Sequence, residues 1–266
     1  MRGYSLRVKE IMDNKHPFIY EDDLATKARA TIRNFSLRIL PVTDKNKKLL
    51  GVVSRGDILT ISSSVSPLRA KGVMTLPKKI ATTEDDAYST VKELIQLGKW
   101  YAPVVNSIQD KIYVGVLGLE NFIEAVIRIN PEKLAKPVSE IMSKDVATCS
   151  PEDEIDNIWR LMQTKAVAGL PVVKKEKLAG IVTQKDLLDG GETLPTFEAK
   201  KGRFRTTRQV SSIMKTEVIT VNPEVKVISV AKVMVSKDIG RVPVTDKEKR
   251  LIGMVDREDV ARLLVT

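Results

Sequence analysis

Apolar residues along the chain alternate between a helical spacing and short extended runs. Two segments repeat apolar side chains at i, i+3, i+4 and i+7, the spacing of one buried helix face. These side chains are Ile155, Ile158, Trp159 and Met162 in one segment, and Val227, Val230, Ala231 and Met234 in the other. After the second segment come the strand-type runs "RVPVT" and "LIGMV", separated by the charged turn "DKEKR". This order predicts a helix followed by an antiparallel hairpin.

An extended run before the helix and a second helix after the hairpin complete the unit. The run "VITV" (218–221) is predicted as a strand, and Asn222-Pro223 behind it as an N-cap residue and a proline at the first helical position. The stretch "GIVTQKDLL" (180–188) indicates a strand that runs into a helix. The predicted unit is therefore β-α-β-β-α, and the fold class is α+β.

The unit occurs four times in the chain. "GIVTQKDLL" has relatives in "GVVSRGDIL", "GVLGLENFI" and "GMVDREDVA", which start at residues 51, 115 and 253. Each copy also carries an apolar-Pro-Val step and, upstream of it, a Val-x-x-Ile-Met-like segment that we call the lead. The prolines are Pro41, Pro103, Pro171 and Pro243, and the leads end at Met12, Met74, Met142 and Met214. Both markers are spaced by 62, 68 and 72 residues, so they keep one register.

A unit of this size buries little surface alone, so the copies are expected to pair. The segment 128–137 is predicted to separate two pairs, with a division near residue 132. Residues 1–131 would form the first pair, with copies at about 8–61 and 70–127. Residues 132–266 would form the second pair, with copies at about 138–190 and 210–265.

Composition excludes several classes of function. The hydrophobic content of 42% is enough for packed cores, but no run approaches the roughly 20 apolar residues that span a bilayer. The amino terminus lacks the apolar run of a signal peptide. We therefore expect a cytoplasmic protein without a membrane partner.

The chain has a single cysteine, Cys149, and a single histidine, His16. This scarcity excludes a disulfide framework, the usual zinc site and the common catalytic dyads and triads. No catalytic residue and no metal site are predicted.

The charge favours an anionic partner, because the net charge is +10 and the sequence pI is about 9.5. The segment "EAKKGRFRTTR" (198–208) contains five cations and Phe204, so it is a candidate for binding nucleic acid. Two other interpretations stay open: a solvated loop between copies, or a segment that folds over a bound nucleotide.

The tetrapeptide Thr183-x-x-Asp186 has two interpretations. A threonine can cap the helix that follows, and an acid three residues later complements the cap. The same carboxylate could instead bind a ligand. Acidic clusters at 83–86 and 150–154 are given only the capping interpretation, since both precede predicted helices.

The ordered recurrence of the lead, the apolar-Pro-Val strand and the Gly-h-h-[Ser/Thr]-x-x-Asp end resembles the cystathionine β-synthase (CBS) domain family, over roughly residues 8–264. The resemblance implies that two copies form one adenosine-binding module and that two such modules pack in a disc-like arrangement. Four copies without a catalytic domain are similar to the stand-alone archaeal members and to the regulatory gamma subunit of AMP-activated protein kinase.

For the third copy, the resemblance implies that Thr183 and Asp186 bind a ribose, with Thr148 at the end of the first strand and Lys185 as an added cation. Arg241 of the fourth copy would reach the phosphate, the alternative being a surface residue on a strand edge.

The other clefts are expected to differ. The first copy keeps Ser54, Arg55 and Asp57, but its partner offers Trp100 and Tyr101, which could stack on an adenine or fill the cleft. The second copy has Gly118 and Asn121, with Arg38 of the first copy placed to reach a phosphate. The fourth copy has Asp256 for the Ser/Thr, retains Asp259, and offers Thr220 on its first strand. Two carboxylates would suit a nucleoside, S-adenosylmethionine or a bridging metal ion better than a polyphosphate.

These features predict a non-catalytic regulatory sensor that binds AMP, ADP or ATP, with S-adenosylmethionine as a further candidate, and changes the activity of an unknown partner protein. The chain would be a monomer or a weak homodimer, without a catalytic cofactor. A nucleic-acid-binding protein with nucleotide as modulator is the alternative. An enzyme is the third hypothesis, but no G-x-x-x-x-G-K-[ST] phosphate loop supports it.

Overall fold

The chain repeats one order of elements four times. The computed structural model describes residues 6–59, 67–190 and 208–265. In each copy the lead is a short helical turn, followed by an extended segment, a helix, an antiparallel hairpin and a last helix. The predicted α+β class is therefore confirmed.

The first two copies contain complete units. The elements of the first copy are α1 (Val8–Ile11), β1 (Ile19–Tyr20), α2 (Ala25–Asn34), β2 (Ile39–Thr43), β3 (Leu49–Ser54) and α3 (Arg55–Leu59). Those of the second copy are a 3-10 turn at Ala70–Gly72, β4 (Ala81–Thr82), α4 (Ala87–Gln96), β5 (Tyr101–Val105), β6 (Tyr113–Gly118) and α5 (Leu119–Ile129).

A 3-10 turn at Pro131–Leu134 leads into the other two copies. The elements of the third copy are a 3-10 turn at Val138–Glu140, α6 (Ile155–Thr164), β7 (Gly169–Lys174), β8 (Lys177–Thr183) and α7 (Gln184–Asp189). Those of the fourth copy are a 3-10 turn at Val210–Ser212, α8 (Val227–Ser236), β9 (Arg241–Thr245), β10 (Leu251–Asp256) and α9 (Arg257–Val265). All eight apolar residues predicted for the inner faces of α6 and α8 are buried.

Two details predicted for the fourth copy are wrong. The run 218–221 is not a strand, since Val221 forms only an isolated parallel bridge with Val244. Helix α8 begins at Val227, well after Pro223. The Asn222 side chain accepts a hydrogen bond from the Glu224 backbone N–H at 3.2 Å, so Asn222-Pro223 starts a turn instead of a helix.

The four hairpins share one register relative to their last helices. In each copy the residue two positions before the proline pairs with the last residue of the following strand. These pairs are Ile39 with Ser54, Tyr101 with Gly118, Gly169 with Thr183, and Arg241 with Asp256. The position predicted to bind ribose therefore lies directly beside a second position whose side chain differs in every copy.

The leads are exchanged between neighbouring copies. The Asp13 backbone pairs with Val116 of the second copy, and Thr75 pairs with Val52 of the first. In the same way Ser143 pairs with Met254, and Lys215 with Ile181. Copies one and two therefore hold each other through their leads, as do copies three and four. The division near residue 132 itself stays a prediction.

The last helices pack across these pairs. Helices α3 and α7 join the first and third copies in a core that includes Ile58, Trp159 and Leu187. Helix α5 packs on α8 and α9, which joins the second and fourth copies in a core that includes Phe122 and Val260. Each large core is thus shared between residues far apart in sequence, and the four copies close into a ring.

A third apolar cluster lies between the sheets of the first two copies. It contains Leu49, Val105, Tyr113 and Val116, with Phe18, Ile39, Ile80 and Tyr101 packed against it. The large side chains of this cluster pack between the two hairpins, and Phe18 and Tyr113 also line a cavity at its edge.

Within the described ranges, no helix has the length and apolar character needed to cross a membrane.

Candidate functional site between the third and fourth copies

Thr183 and Asp186 form a complete capping box at the start of α7. The Asp186 Oδ2 atom accepts hydrogen bonds from the Thr183 backbone N–H at 2.8 Å and from the Thr183 hydroxyl at 2.5 Å. The Asp186 N–H in turn donates to the Thr183 Oγ1 at 3.3 Å. Thr183 and Asp186 therefore do cap helix α7, as the capping interpretation of the tetrapeptide states.

The cap uses only one oxygen of the Asp186 carboxylate. Asp186 is 6% exposed, and its Oδ1 lies 3.4 Å from the Lys215 Nζ atom. Lys215 directly follows the lead of the fourth copy and is held beside the third copy by backbone hydrogen bonds of 2.9 Å in both directions with Ile181. The Lys215 side chain is 61% exposed, so its ammonium can move away and leave Oδ1 to a ligand. Sequence reasoning missed Lys215, because only the exchange of leads brings it to the third copy.

Arg241 reaches from the fourth copy to the third. Its Nη1 atom donates a hydrogen bond to the Gly169 carbonyl at 3.3 Å. A Cβ built on Gly169 would lie 2.8 Å from Nη1 of Arg241 and 2.9 Å from Cγ2 of Thr183. Glycine at this position makes the room that the guanidinium occupies beside Thr183. The structure thus brings Thr183, Asp186 and Arg241 together; Arg241 is half-buried on β9, and its predicted reach to a phosphate stays a prediction.

The cleft of the second half carries small, exposed side chains where the first half carries larger apolar ones. Thr148 and Thr220 are exposed and occupy the repeat positions of Phe18 and Ile80. Phe18 and Ile80 pack into the apolar cluster between the first two copies. Thr148 and Thr220 lie just before the bridges formed by Cys149 and Val221, and neither is in a strand. These two positions therefore carry smaller and more exposed side chains in the second half, while a cavity lined by Phe18, Lys47 and Tyr113 lies in the first half.

Lys185 points along its own helix. Its Nζ atom lies 2.8 Å from the Asp189 Oδ2 atom in an i,i+4 ion pair. Its contribution of a second cation to the site requires that this pair open, which costs little because both side chains are about one third exposed or more.

The fourth copy holds two carboxylates close together at the start of α9. The Asp256 backbone N–H donates to the Asp259 Oδ2 at 2.9 Å, and the Asp259 N–H donates to the Asp256 Oδ1 at 3.1 Å. Burial, together with the charge of Asp256, raises the pKa of Asp259 to about 7. Burial also raises the pKa of Asp256, against the opposing charge of Arg241. Over the described part of the chain, no three His, Cys, Asp or Glu side chains group as a metal site requires.

Replacing Asp259 by asparagine is expected to flatten the dependence of stability on pH. Because the pKa of Asp259 is raised in the folded state, its contribution is full below about pH 4 and is lost as pH rises through about 7. Asparagine keeps the acceptor for Asp256 and removes that loss. Urea unfolding at pH 5 and pH 8 should show a smaller decline for Asp259→Asn than for wild type. Asp57→Asn, at the same repeat position of the first copy, controls for losing a capping carboxylate, and an unchanged decline in Asp259→Asn would contradict the expectation.

The first copy keeps the same cap but buries its cation. The Ser54 hydroxyl and backbone N–H both donate to the Asp57 Oδ2 at 2.7 Å. Arg55 is 9% exposed and donates to the carbonyl oxygens of Ser36 and Leu37 at 2.7 Å each. Burial, and the charge of Arg38, lower the pKa of Arg55 to about 10. Arg55 therefore holds its own copy together, and its predicted part in ligand binding is left without geometric support.

The residues around the second copy form a cluster of ion pairs. Arg38, predicted to reach a phosphate, instead lies 2.9 Å from Asp238 of the fourth copy. Tyr101 packs against the apolar cluster of the first half, which favours the interpretation of cleft filling for this side chain. Burial, with the charge of Glu120, raises the pKa of Tyr101. Gly118 and Asn121 keep one capping contact, a hydrogen bond of 2.8 Å from the Gly118 N–H to the Asn121 Oδ1.

Arg257 connects this cluster, and sequence reasoning missed it. Only 1% of its surface is exposed, and its guanidinium lies 3.1 Å from Glu120 and 2.8 Å from Asp238. It also donates to the Tyr101 hydroxyl at 3.3 Å. The available signal was the repeat itself, since Arg257 occupies the position of Arg55. We call the group Arg38, Glu120, Asp238 and Arg257 the central ion cluster; it joins the first, second and fourth copies.

The basic segment 198–208 lies outside the described residues except for Arg208. Arg208 donates a hydrogen bond to the Gly190 carbonyl at 3.4 Å, just beyond the end of α7. The predictions for nucleic acid and for a cover over the nucleotide therefore stay predictions.

A family model for the CBS domain matches residues 8–64, 138–191 and 210–266, which are the first, third and fourth copies. Among relatives, the uncharacterised protein MJ1225 of Methanocaldococcus jannaschii is 24% identical, covering 97% of this chain and 98% of its own. Inosine-5'-monophosphate dehydrogenase of Korarchaeum cryptofilum is 34% identical, but the match covers 50% of this chain and only 25% of that enzyme.

Solved structures show the same fold over the whole chain. The crystal structure of MJ1225, proposed as an archaeal homologue of g-AMPK, has a TM-score of 0.86 at 23% identity, covering 97% of this chain and all of that one. An uncharacterised conserved protein of Pyrococcus horikoshii has a TM-score of 0.67 at 21% identity, covering 98% of this chain and all of its own. These two structures share the fold of this chain, and the family model, which matches more than half of its residues, establishes that the chain belongs to the CBS domain family.

Proposed function

We propose that this protein is a non-catalytic regulatory sensor that binds an adenine nucleotide between its third and fourth copies and changes the activity of a partner protein. The observation that carries the proposal is the meeting of Thr183, Asp186 and Arg241 in one cleft. The candidates remain AMP, ADP, ATP and S-adenosylmethionine.

The cleft offers the two kinds of group that a nucleotide needs. Asp186 has one oxygen that is not used by the cap, and a carboxylate oxygen accepts strong charge-assisted hydrogen bonds from a ribose hydroxyl. Arg241 supplies a planar cation that matches a phosphate. Because Oδ2 of Asp186 is held by Thr183, the ribose hydroxyls would share Oδ1, and Lys215 would swing towards solvent or towards the phosphate.

The two halves support unequal binding. In the first half, Phe18, Ile80 and Tyr101 pack against the apolar cluster, and the two arginines Arg55 and Arg38 are buried or paired. The second-half cleft keeps Thr148, Thr220 and Arg241. We therefore place the principal nucleotide in the second half. Around Asp256 and Asp259, a ligand of low negative charge would be favoured, because both carboxylates repel phosphate.

Asp186→Asn is expected to weaken nucleotide binding by about 10-fold to 100-fold, which corresponds to the 1.5–3 kcal/mol of a hydrogen bond to a charged group. Asparagine retains an oxygen for the cap, so the fold of α7 should persist. Arg241→Met should weaken AMP, ADP and ATP progressively and leave adenosine unchanged. Calorimetric titration of adenosine, AMP, ADP, ATP and S-adenosylmethionine into wild type and both variants measures these effects.

Asp57→Asn is the matched control, since it makes the same change in the same capping box of the first copy. It should leave the principal binding phase intact. If wild type binds none of the five compounds, or if Asp186→Asn and Arg241→Met bind them as wild type does, the proposed function is wrong.

The nucleic-acid alternative rests on the sequence of 198–208. It predicts a steep loss of affinity for single-stranded or duplex nucleic acid as salt rises. If the protein does not bind nucleic acid at low salt, the nucleic-acid alternative is excluded. Turnover of nucleotide in proportion to protein would contradict the non-catalytic proposal.

A further inference from the structure

Trp100 of the second copy reaches into the fourth copy. Its indole ring lies 5.6 Å from the Arg241 guanidinium carbon, and its Nε1–H donates to the Glu258 Oε2 at 3.3 Å. A Cβ built on Gly240 would lie 3.0 Å from the Trp100 ring. Trp100 is therefore fitted against the start of both β9 and α9.

Arg241 has few other described groups that fix its position. Among the described residues it forms no ion pair, and its guanidinium donates one hydrogen bond, to Gly169. Its surroundings are unfavourable for a cation, because burial and the charges of Arg38 and Arg257 lower its pKa against the opposing charge of Asp256. An aromatic face attracts a guanidinium without neutralising its positive charge, so the guanidinium can still bind an anion.

We infer that Trp100 is a positioning residue that holds Arg241 beside Thr183, so that the affinity of the third-copy cleft for phosphate depends on a side chain from the first half of the chain. This inference rests on the proposed function. Ligand binding in the second half would then affect the first half. A phosphate that draws Arg241 away from Gly169 also changes the contact between Arg241 and Trp100. The ligand class is an adenosine carrying at least one phosphate.

The test compares Trp100→Leu with Trp100→Phe by calorimetric titration of AMP and adenosine. Leucine removes the aromatic face, so AMP should bind about threefold to tenfold more weakly, as expected for loss of a cation–π contact. Adenosine should bind unchanged, because Arg241 does not face it. Phenylalanine keeps the aromatic face and loses the bond to Glu258, so it should restore most of the AMP affinity. Glu258→Gln weakens that bond alone and should have little effect on AMP.

A second measurement reports the contact itself. The chain has two tryptophans, so in Trp159→Phe the fluorescence comes from Trp100 alone. AMP should change this emission and adenosine should not, and Arg241→Met should remove the AMP response.

The outcomes separate this inference from the proposed function. If wild type binds AMP but Trp100→Leu binds it equally well, the inference is overturned and the proposed function stands. If Trp100→Leu weakens adenosine and AMP alike, the role of Trp100 is structural and the inference is also overturned. If wild type binds neither compound, both statements fail.

Discussion

Phe122→Ala is expected to lower the free energy of unfolding by about 3–5 kcal/mol, the cost of removing a large aromatic side chain from a packed core. Phe122 is fully buried, and its ring meets that of Tyr88 edge to face, with centroids 5.0 Å apart. It lies on α5, which packs against α8 and α9 of the fourth copy. The resulting cavity therefore weakens the contact between sequence-distant copies as well as the second copy itself.

The measurement can show whether the two large cores unfold together. Trp159 is in the other core, shared by the first and third copies. In a Trp100→Phe background Trp159 is the only tryptophan, so its fluorescence follows that core during urea unfolding. We expect Phe122→Ala to lower the urea midpoint of the Trp159 fluorescence by as much as the urea midpoint of the circular dichroism signal. The reason is that the exchanged leads and the central ion cluster connect the copies. Separate midpoints would show that the cores are independent.

Phe35→Ala is the control for this prediction. Phe35 follows α2 and is 66% exposed, so its removal should change stability by less than about 0.5 kcal/mol.

Arg257→Met is expected to lower the free energy of unfolding by about 3 kcal/mol, the lower end of the cost of breaking a buried ion pair by removing one partner. The lower end applies because Asp238 is 60% exposed and can be solvated, whereas the side chain of Glu120 is 25% exposed. Methionine fills much of the same volume, so the effect comes mainly from the stranded Glu120 carboxylate, since Asp238 keeps its ion pair with Arg38. Unfolding in urea at low and high salt measures it, and the loss should change little with salt because the Arg257–Glu120 pair, with side chains 1% and 25% exposed, is largely shielded from solvent.

Arg262→Met is the matched control on the same helix. Arg262 pairs with Glu258 one turn before it, and its side chain is 59% exposed. Its replacement should cost about 0.3–0.5 kcal/mol. The double variant Arg257→Met/Glu120→Gln should recover part of the loss, since the stranded charge is gone. A cost for Arg257→Met no larger than that for Arg262→Met would show that the central ion cluster does not stabilise the fold.

The repeat made much of the fold predictable. The prolines at Pro41, Pro103, Pro171 and Pro243 mark strands in all four copies, and the hairpins that they begin are present. The inner faces of α6 and α8 followed from spacing alone. The start of α8 did not, because Asn222-Pro223 suits a turn and a helix cap equally well, and only backbone contacts decide between them.

Site residues that belong to the repeated sequence pattern could be predicted, whereas those brought to the site only by tertiary packing could not. Thr183 and Asp186 stand out as the fullest copy of a recurring pattern, and Arg241 was predicted from the family resemblance, at its position two residues before Pro243. Lys215 and Trp100 come from other copies and depend on which elements become neighbours. Arg55 was predicted as a ligand cation, but it bonds to carbonyl groups of its own copy. A sequence pattern shows that a cation is present, and burial decides what the cation binds.

The sharing of each core between distant copies also bears on synthesis and assembly. When the first half leaves the ribosome, the apolar faces that α3 and α5 turn to the other copies have no partner until the second half, roughly 130 residues, has been translated, about 7–26 s at usual rates. In that interval the faces can be covered by the second half of another nascent chain as readily as by their own. A protein built this way is predisposed to domain-swapped dimers, in which every cleft is complete but the ring is closed by two polypeptides.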